Sequence, residues 1–412
     1  MFQKKYLKDN YPLILIGLYP LALMVGTFIS ELITFILVTL FLYKSYYLKN
    51  WKWTKEIIFY FLITTYLYLI INSILSNFPL ESSQRAISFI RFILLVFAIS
   101  FFLKNDNSNK KIIFRLWFYT LVVTVINLYF ESFFGFNTFG YRSPWSDRLS
   151  GFMFGELKTA HLLIGFSLPA IIYYFEENKN KILFLIFCAL FLIITLLTGE
   201  RANGIRCIFI IIFFFIFERK IIIKYKTLLF FFFLIISLII VIQKPNLNQR
   251  YIKEIKALSS ENKDFKSLIE HSNYGPHYKT AIEIYKNHTF FGSGIRTFRF
   301  ECLKTDYDKT GSVSAIRCST HPHNLYLEFL SEMGIFGFIC FFIFFFYLIY
   351  CGIKSYIKNK NATLLASLLF FLSMLLPLPT GSFFTSFGAT IFWVNVGVIY
   401  YKINYRNDKK KK

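Results

Sequence analysis

The stretch Thr320-His321-Pro322-His323-Asn324-Leu325-Tyr326-Leu327-Glu328-Phe329-Leu330-Ser331-Glu332-Met333-Gly334 holds the densest set of residues able to do chemistry. Pro322 disfavours helix at the residue before it and readily begins one itself, so His321 is the expected cap. His323 then falls in the first turn, where free backbone N–H groups and the positive end of the helix dipole attract an anion. The same field opposes a protonated imidazole, which leaves His323 neutral and able to act as a base. Asn324, Glu328 and Glu332 follow at helical spacing on one face. Carboxyl groups entering a lipid-embedded helix are costly unless they meet a partner or a wet cavity. A plainer alternative makes both histidines interfacial residues and pairs the glutamates with loop lysines. The proline, the paired histidines, the asparagine and the stripe together favour the chemical reading.

Two arginines stand in turns that suit phosphate. Arg201 lies in Thr198-Gly199-Glu200-Arg201-Ala202-Asn203-Gly204, and Arg296 in the glycine-punctuated Phe291-Gly292-Ser293-Gly294-Ile295-Arg296-Thr297-Phe298. A guanidinium stays charged and donates two parallel hydrogen bonds to a phosphate. Arg206 and Arg115 read as headgroup anchors, and Arg91, about one turn inside an apolar run, as a residue that either snorkels or faces the cavity.

The elements that must position these residues are membrane helices. Apolar residues make up 56% of 412 positions, with 54 phenylalanines, and mean hydropathy is +0.51. That suits lipid-facing helices and would be an aggregation hazard in water. The formal charge of +23 sits in short clusters between apolar runs, which argues for membrane placement and against nucleic acid as a partner. At roughly 20 residues per crossing, about twelve spans are expected. They lie near Tyr11–Ile29, Leu32–Tyr47, Ile57–Leu75, Ala86–Leu103, Ile112–Phe130 and Thr159–Phe175. The others lie near Ile182–Thr198, Gly204–Phe217, Thr227–Ile242, Leu325–Tyr350, Thr363–Leu376 and Phe383–Tyr401.

Alternate connections carry Lys44/Lys49/Lys52/Lys55, Lys104/Lys110/Lys111, Lys179/Lys181, Arg219/Lys220/Lys224/Lys226 and Lys354/Lys358/Lys360, and both tails are basic. The positive-inside rule puts all of these, and both termini, in the cytoplasm. The opposite side receives Ser76–Arg85, Glu131–Lys158, Gly199–Asn203, the long segment Gln243–Asn324 and Pro377–Ser382. The expected fold class is therefore an all-α integral membrane protein with one large extracytoplasmic loop containing short helices. Its parts are membrane helices over residues 1–242, the loop over 243–324, and further helices with a basic tail over 325–412. In the loop, Gly275-Pro276 should start a surface helix whose apolar stripe is Tyr278, Ala281, Ile282 and Tyr285.

Cys188, Cys207, Cys340 and Cys351 lie in or beside apolar runs as small hydrophobes. Cys302 and Cys318 fall in the large loop, on the side where oxidation is possible, and bracket a polar segment with little to pack. A disulfide between them is expected. No Cys/His spacing indicates a metal site.

Taken in order, these pieces resemble the O-antigen ligase/polymerase superfamily of polytopic C-type glycosyltransferases. His323, Asn324, Leu327 and Gly334 match its His-Asn-x-x-Leu-x6-Gly pattern. Ala281-x5-Asn287-His288-Thr289-Phe290-Phe291-Gly292-Ser293-Gly294 resembles its glycine turn, with Thr289 where proline is common, and Thr198-Gly199-Glu200-Arg201 resembles its (S/T)-G-x-R turn. Fainter echoes are Arg148-Leu149-Ser150-Gly151 and Pro379-Thr380-Gly381-Ser382-Phe383-Phe384, so the likeness covers roughly residues 140–395.

The resemblance implies transfer of a glycan from undecaprenyl pyrophosphate to a hydroxyl outside the cytoplasm, in the inner membrane, with no nucleotide, metal or other cofactor. His323 would be the base, Arg201 and Arg296 the pyrophosphate ligands, and His321, Asn324, Glu328 and Glu332 supporting residues. A lipid A–core acceptor would make the chain a ligase. Another lipid-linked repeat would make it a polymerase, and a protein hydroxyl an oligosaccharyltransferase. A transporter would also have many spans, but the sequence shows no pair of broken helices in two matching halves.

Overall fold

The computed structural model describes residues 2–105, 110–145, 147–178, 180–218, 223–243, 248, 274–310 and 313–409. It is 78% helix, with no strand among the described residues. Lys179, Arg219, Lys220, the final three lysines and most of the segment between 243 and 274 lie outside the described residues.

Each expected apolar segment is occupied mainly by helix. In order these are α1 (Phe2–Gly17), α2 (Tyr19–Val25), α3 (Thr27–Tyr47), α4 (Ile57–Ile74), α5 (Pro79–Ser88), α6 (Ile90–Asn105) and α7 (Lys111–Phe134). Next come α8 (Thr159–Asn178), α9 (Lys181–Leu197), α10 (Arg201–Phe217) and α11 (Ile223–Gln243). The chain continues through α12 (Gly275–Asn287), α13 (Phe298–Glu301), α14 (Ser314–Arg317), α15 (Leu325–Asn359), α16 (Ala362–Met374) and α17 (Ser386–Lys409).

Five stretches are long and apolar enough to cross a bilayer: Thr27–Tyr47, Ile57–Ile74, Pro79–Lys104, Lys111–Phe134 and Leu325–Asn359. Other apolar helices are shorter; α16, with 13 residues, reaches only about 20 Å at 1.5 Å per residue. Helices α6 and α17 are the centre of the bundle, buried nearly all round from Phe92 to Leu103 and from Ala389 to Tyr401. Large side chains such as Phe28, 75% exposed, and Phe35, 68% exposed, point outward on α3.

Two boundaries differ from expectation. The first expected span is divided among α1, α2 and the start of α3, because Pro20 opens α2 and Gly26 separates it from α3. The segment Ser76–Arg85, expected to be a loop, is mostly helix α5, with Pro79 at its start, Glu81 in its first turn and Arg85 in its last.

Basic connections expected on one side do share one end of the bundle. Lys44 lies over Phe102 at 5.4 Å, Lys110 over Tyr401 at 4.8 Å, and Lys360 over Tyr356 at 5.7 Å, while Tyr356 Oη donates to Phe217 O at 2.7 Å. The opposite end gathers the remaining connections around the described part of the large loop. There Ala281, Ile284, Phe298, Cys302 and Tyr307 form a small separate core. The buried stripe on α12 is Ala281 and Ile284 rather than Ile282, which is 41% exposed. Arg317 ties this unit together, donating from Nε to Cys302 O (3.0 Å) and from Nη2 to Lys304 O (2.9 Å).

The expected continuous helix at Leu325 is in fact broken. Gly334 has φ 66° and ψ −172°, a region that essentially only glycine enters. The break leaves carbonyls and N–H groups of α15 without helical partners, and the glycine turn fills it. Ser293 N donates to Ser331 O and Gly294 N to Glu332 O, both at 2.9 Å; Ile335 N donates to Thr289 O at 2.8 Å. Helix α4 grips the turn from the other side. Asn72 Nδ2 donates to Phe291 O and to Glu332 O, its Oδ1 accepts from Ile295 N at 3.1 Å, and Ser76 Oγ donates to Ser293 O at 2.5 Å. Tyr68 Oη donates to Met333 O. Non-helical backbone is tolerated in a membrane protein where protein covers it in this way.

Two predictions follow from this packing. A Cβ on Gly334 would sit 2.4 Å from Phe290 O, so Gly334→Ala should cost about 3 kcal/mol or more and lower the unfolding temperature in detergent. Gly381→Ala, where nothing lies within 4 Å, should leave it unchanged; equal effects would remove the break as the cause. The second concerns Cys302 and Cys318, whose Cα atoms are 5.4 Å apart, inside the range a disulfide bridges. Mass mapping without reductant should recover the two peptides linked, a closure contributing about 3 kcal/mol in the chain-entropy model. Two freely alkylated thiols would contradict the bond.

Candidate functional site

Helix α15 starts later than the proline suggested. Its cap is Asn324, not His321, and the Asn324 Oδ1 accepts from Tyr326 N at 3.0 Å and Leu327 N at 3.2 Å. Asparagine is among the strongest N-caps and here takes two of the free N–H groups itself. His323 is therefore outside the first turn, in left-handed conformation with φ 57°. The helix end does not act on it as expected, because the cap has already satisfied those donors.

Thr380 holds both histidines. Its N–H donates to His323 O at 3.0 Å, and its carbonyl is 3.0 Å from His321 Nε2. A carbonyl only accepts, so His321 carries its proton on Nε2, leaving Nδ1 to accept from Thr320 Oγ1 at 2.9 Å. Both ring nitrogens of His321 are thus committed. His323 Nε2 lies 3.0 Å from Ser319 Oγ, a hydroxyl that can rotate to serve either protonation state. Its ring is 4.1 Å from that of His321, 5.0 Å from Tyr274 and 5.5 Å from His277. Burial, and then His277, push the His323 pKa down to about 4; burial and then His323 push His321 down to about 3. Both imidazoles are neutral at pH 7.

The arginine turn meets the histidine turn at Thr320, whose carbonyl accepts from Arg299 Nη2 at 3.4 Å. Arg296 has φ 64°, and its N–H donates to Glu332 Oε2 at 2.7 Å, with Phe298 N on Oε1 at 3.2 Å. Its guanidinium is the notable feature: Nε and Nη1 are buried and have no hydrogen-bond partner among the described residues, and the same holds for Arg299 Nε. Burial lowers the Arg296 pKa, with Arg299 and Arg85 adding to the effect and Glu332 and Glu328 opposing it. Buried cationic donors without an acceptor are costly, and an anion at this point would satisfy them.

Neither glutamate pairs with a loop lysine, as the plainer alternative had it. Glu328 and Glu332 are fully buried and bond to backbone and hydroxyl donors. Glu328 accepts from Phe383 N at 2.9 Å and from Ser382 Oγ, which fixes the 380–384 turn against α15.

Arg201 opens α10 in a neighbouring turn. The preceding Glu200 is pushed up to about 7 by burial and accepts from Ala160 N (2.9 Å) and Asn203 Nδ2 (2.7 Å). Arg206 is not a headgroup anchor. It is 1% exposed, and its guanidinium donates to Ser373 O (3.2 Å), Leu378 O (3.4 Å) and Pro379 O (3.3 Å). Through it the helix of Arg201 is tied to the turn that holds both histidines. Arg115 is exposed on α7.

The sequence reading missed Tyr68, Asn72 and Ser76, although Tyr68 and Asn72 at i and i+4 in an apolar helix, with Ser76 just past its end, were a visible signal. It also missed Thr380 as the clamp, and Arg299 and His277 as neighbours of the site; for these no local signal exists.

Comparison with known families bears on this same region. The O-antigen ligase family profile matches residues 159–342, from the start of α8 into α15 beyond the break. It takes in Arg201, Arg296, His323 and Gly334, and leaves out α4 with its grip on the glycine turn. A search of curated proteins returns no match. The apolar helices, the neutral histidine, the unsatisfied arginine donors and this match converge: residues 159–342 are similar to the O-antigen ligase family, which supports an O-antigen ligase-like superfamily for this part of the chain.

Proposed function

We propose that this protein transfers a glycan from a polyprenyl-pyrophosphate carrier to an acceptor hydroxyl at the outer face of the inner membrane. The observation that carries this reading is the buried Arg296 guanidinium with N–H donors unpaired among the described residues, on a turn that bonds, through Arg299, to the turn of a histidine held neutral. His323 removes the acceptor proton as its oxygen attacks the anomeric carbon. The bond from that carbon to the pyrophosphate oxygen breaks, and the carrier leaves as the free pyrophosphate. Arg296 and Arg201 hold that pyrophosphate and stabilise the charge it gains, an effect strengthened in a dry site. His321, Asn324, Glu328 and Glu332 position the two turns. The activation is stored in the donor, so the scheme needs neither nucleotide nor metal. Alternating lysine clusters support cytoplasmic termini and about twelve crossings.

A lipid A–core acceptor, hence a ligase, is the reading we favour; polymerase and protein oligosaccharyltransferase are the alternatives within the superfamily. Deleting the gene should abolish capped lipopolysaccharide while polymerised lipid-linked glycan persists; loss of polymerisation would point to the polymerase. Transfer in proteoliposomes without nucleotide separates all of these from a transporter, which would accumulate glycan without joining it.

His323→Ala should lower turnover by at least about 100-fold at unchanged protein level. Because the His323 pKa lies near 4 in the folded protein and at 6.5 ordinarily, the unfolded chain binds its proton first as pH falls. The stabilising contribution is complete above pH 6.5 and declines below it, and wild-type kcat/KM should show no inflection at 6.5. An acid limb centred there would mean that the ring is not held as described.

Arg296→Lys and Arg201→Lys should each reduce transfer at least about tenfold, since lysine keeps the charge but not the bidentate fork. Near wild-type rates in both would reassign the arginines as anchors.

A further inference from the structure

A transfer between two lipids needs a seat for each headgroup, and the outer end has a second polar opening that the chemistry above leaves unused. It is a cleft of about 480 Å³ lined by Glu31, Gln84, Arg85, Ser88, Arg91 and Ser386, so α3, α5, α6 and α17 all contribute. Arg91 belongs to its wall. Expected to snorkel or face a cavity, it lines this cleft and is held there by Glu31, Nε to Oε2 at 2.5 Å and Nη2 to Oε1 at 2.8 Å. That pair neutralises itself.

Arg85 is the charge left over. It is exposed, its guanidinium has no hydrogen-bond or ion-pair partner among the described residues, and its charge is felt by Arg296. The cleft therefore carries one uncompensated positive charge beside neutral donors from Gln84 and Ser386. Its edge is apolar: Phe28, Leu32 and Phe35 on α3, and Leu80 and Ile87 on α5, are all exposed. Phe28, Glu31, Leu32 and Phe35 share one face of α3, so the charged and the lipid-facing surfaces adjoin. The cleft is joined to the base through the chain. Ser386 begins α17, and the turn before it carries Thr380, which holds His323, and Ser382 and Phe383, which bond Glu328.

We propose that this cleft seats the phosphate-bearing headgroup of the acceptor glycolipid, with Arg85 as its phosphate ligand and the α3 and α5 apolar faces taking its acyl chains. The inference rests on the transfer reading above and selects a phosphorylated lipid over a protein hydroxyl as acceptor. Arg85 acts on binding, not on the reacting atoms.

The test uses the full-length protein in proteoliposomes with a polyprenyl-pyrophosphate-linked glycan, and compares phosphorylated lipid A–core with its dephosphorylated form. Wild type should show a KM about tenfold lower for the phosphorylated acceptor, the weight of one charged hydrogen bond. Arg85→Gln should raise that KM about tenfold, with donor KM and kcat unchanged, and Arg85→Lys should recover part of it. A rise in donor KM instead would assign the cleft to the carrier, and equal wild-type KM values for the two acceptors would also overturn the proposal. Native mass spectrometry of lipid A–core binding in detergent keeps the two readings apart. Arg85-dependent binding without transfer to any acceptor would leave the cleft standing and sink the transferase reading; binding indifferent to Arg85→Gln would sink the cleft. Equal competition by phosphatidylglycerol would make it a general anionic-lipid seat and remove the acceptor assignment.

Discussion

The carboxyl group of Glu332 has no exposure to solvent, and each of its oxygens is taken by a backbone N–H of the arginine turn, Arg296 on one and Phe298 on the other. A buried carboxyl without such donors would be strongly destabilising, so this one contact obliges the turn to sit against α15. The break at Gly334 completes the constraint by freeing main-chain groups that the same turn satisfies together with Tyr68 and Asn72. What positions Arg296, the arginine proposed to hold the pyrophosphate, is thus a helix that is interrupted, with a loop acting as the missing piece.

The same device recurs around the end of the bundle that carries the large loop. Glu131 accepts from Ser150 N (3.1 Å) and Gly151 N (2.7 Å), Glu200 from Ala160 N, and Glu328 from Phe383 N. Each acid offsets its own cost by capturing N–H groups that lack a sheet or helix partner, in a turn or at a helix start. Turns that read as isolated echoes in the sequence are in this way fixed to the helices around His323. Arg206 does the complementary work for carbonyls at 373–379. The turns of the site are fixed because most of their polar groups, the Arg296 and Arg299 donors excepted, satisfy one another, while the helices carrying them are packed by aromatic and aliphatic side chains.

Much of the architecture was legible in the chain because it depends on local, periodic properties. Apolar runs of sufficient length must become helices when lipid surrounds them, since only internal hydrogen bonding satisfies their backbone, and the lysine clusters alternate with them. The order of the His-Asn motif, the glycine turn and the arginine turns also pointed to the superfamily before any coordinates. The cap was misplaced because proline and asparagine both signal a helix start, and only the folded chain shows that Asn324 wins by bonding two N–H groups at once.

Tertiary structure alone decided how the pieces meet. Asn72 and Glu332 are bonded across 260 positions, and a contact of that separation leaves no trace in the periodicity of either helix. Gly334 read as one more residue of a long span until the turn at 289–294 was seen inside its break. Arg206 looked like an anchor because its burial depends on a neighbour more than 160 positions away. The sequence by itself determined the residue types available at the end carrying the large loop and the helices that bring them there. Which donors remain unsatisfied, and so where an anion is needed, follows only from the packed whole, because a hydrogen bond is a property of a pair.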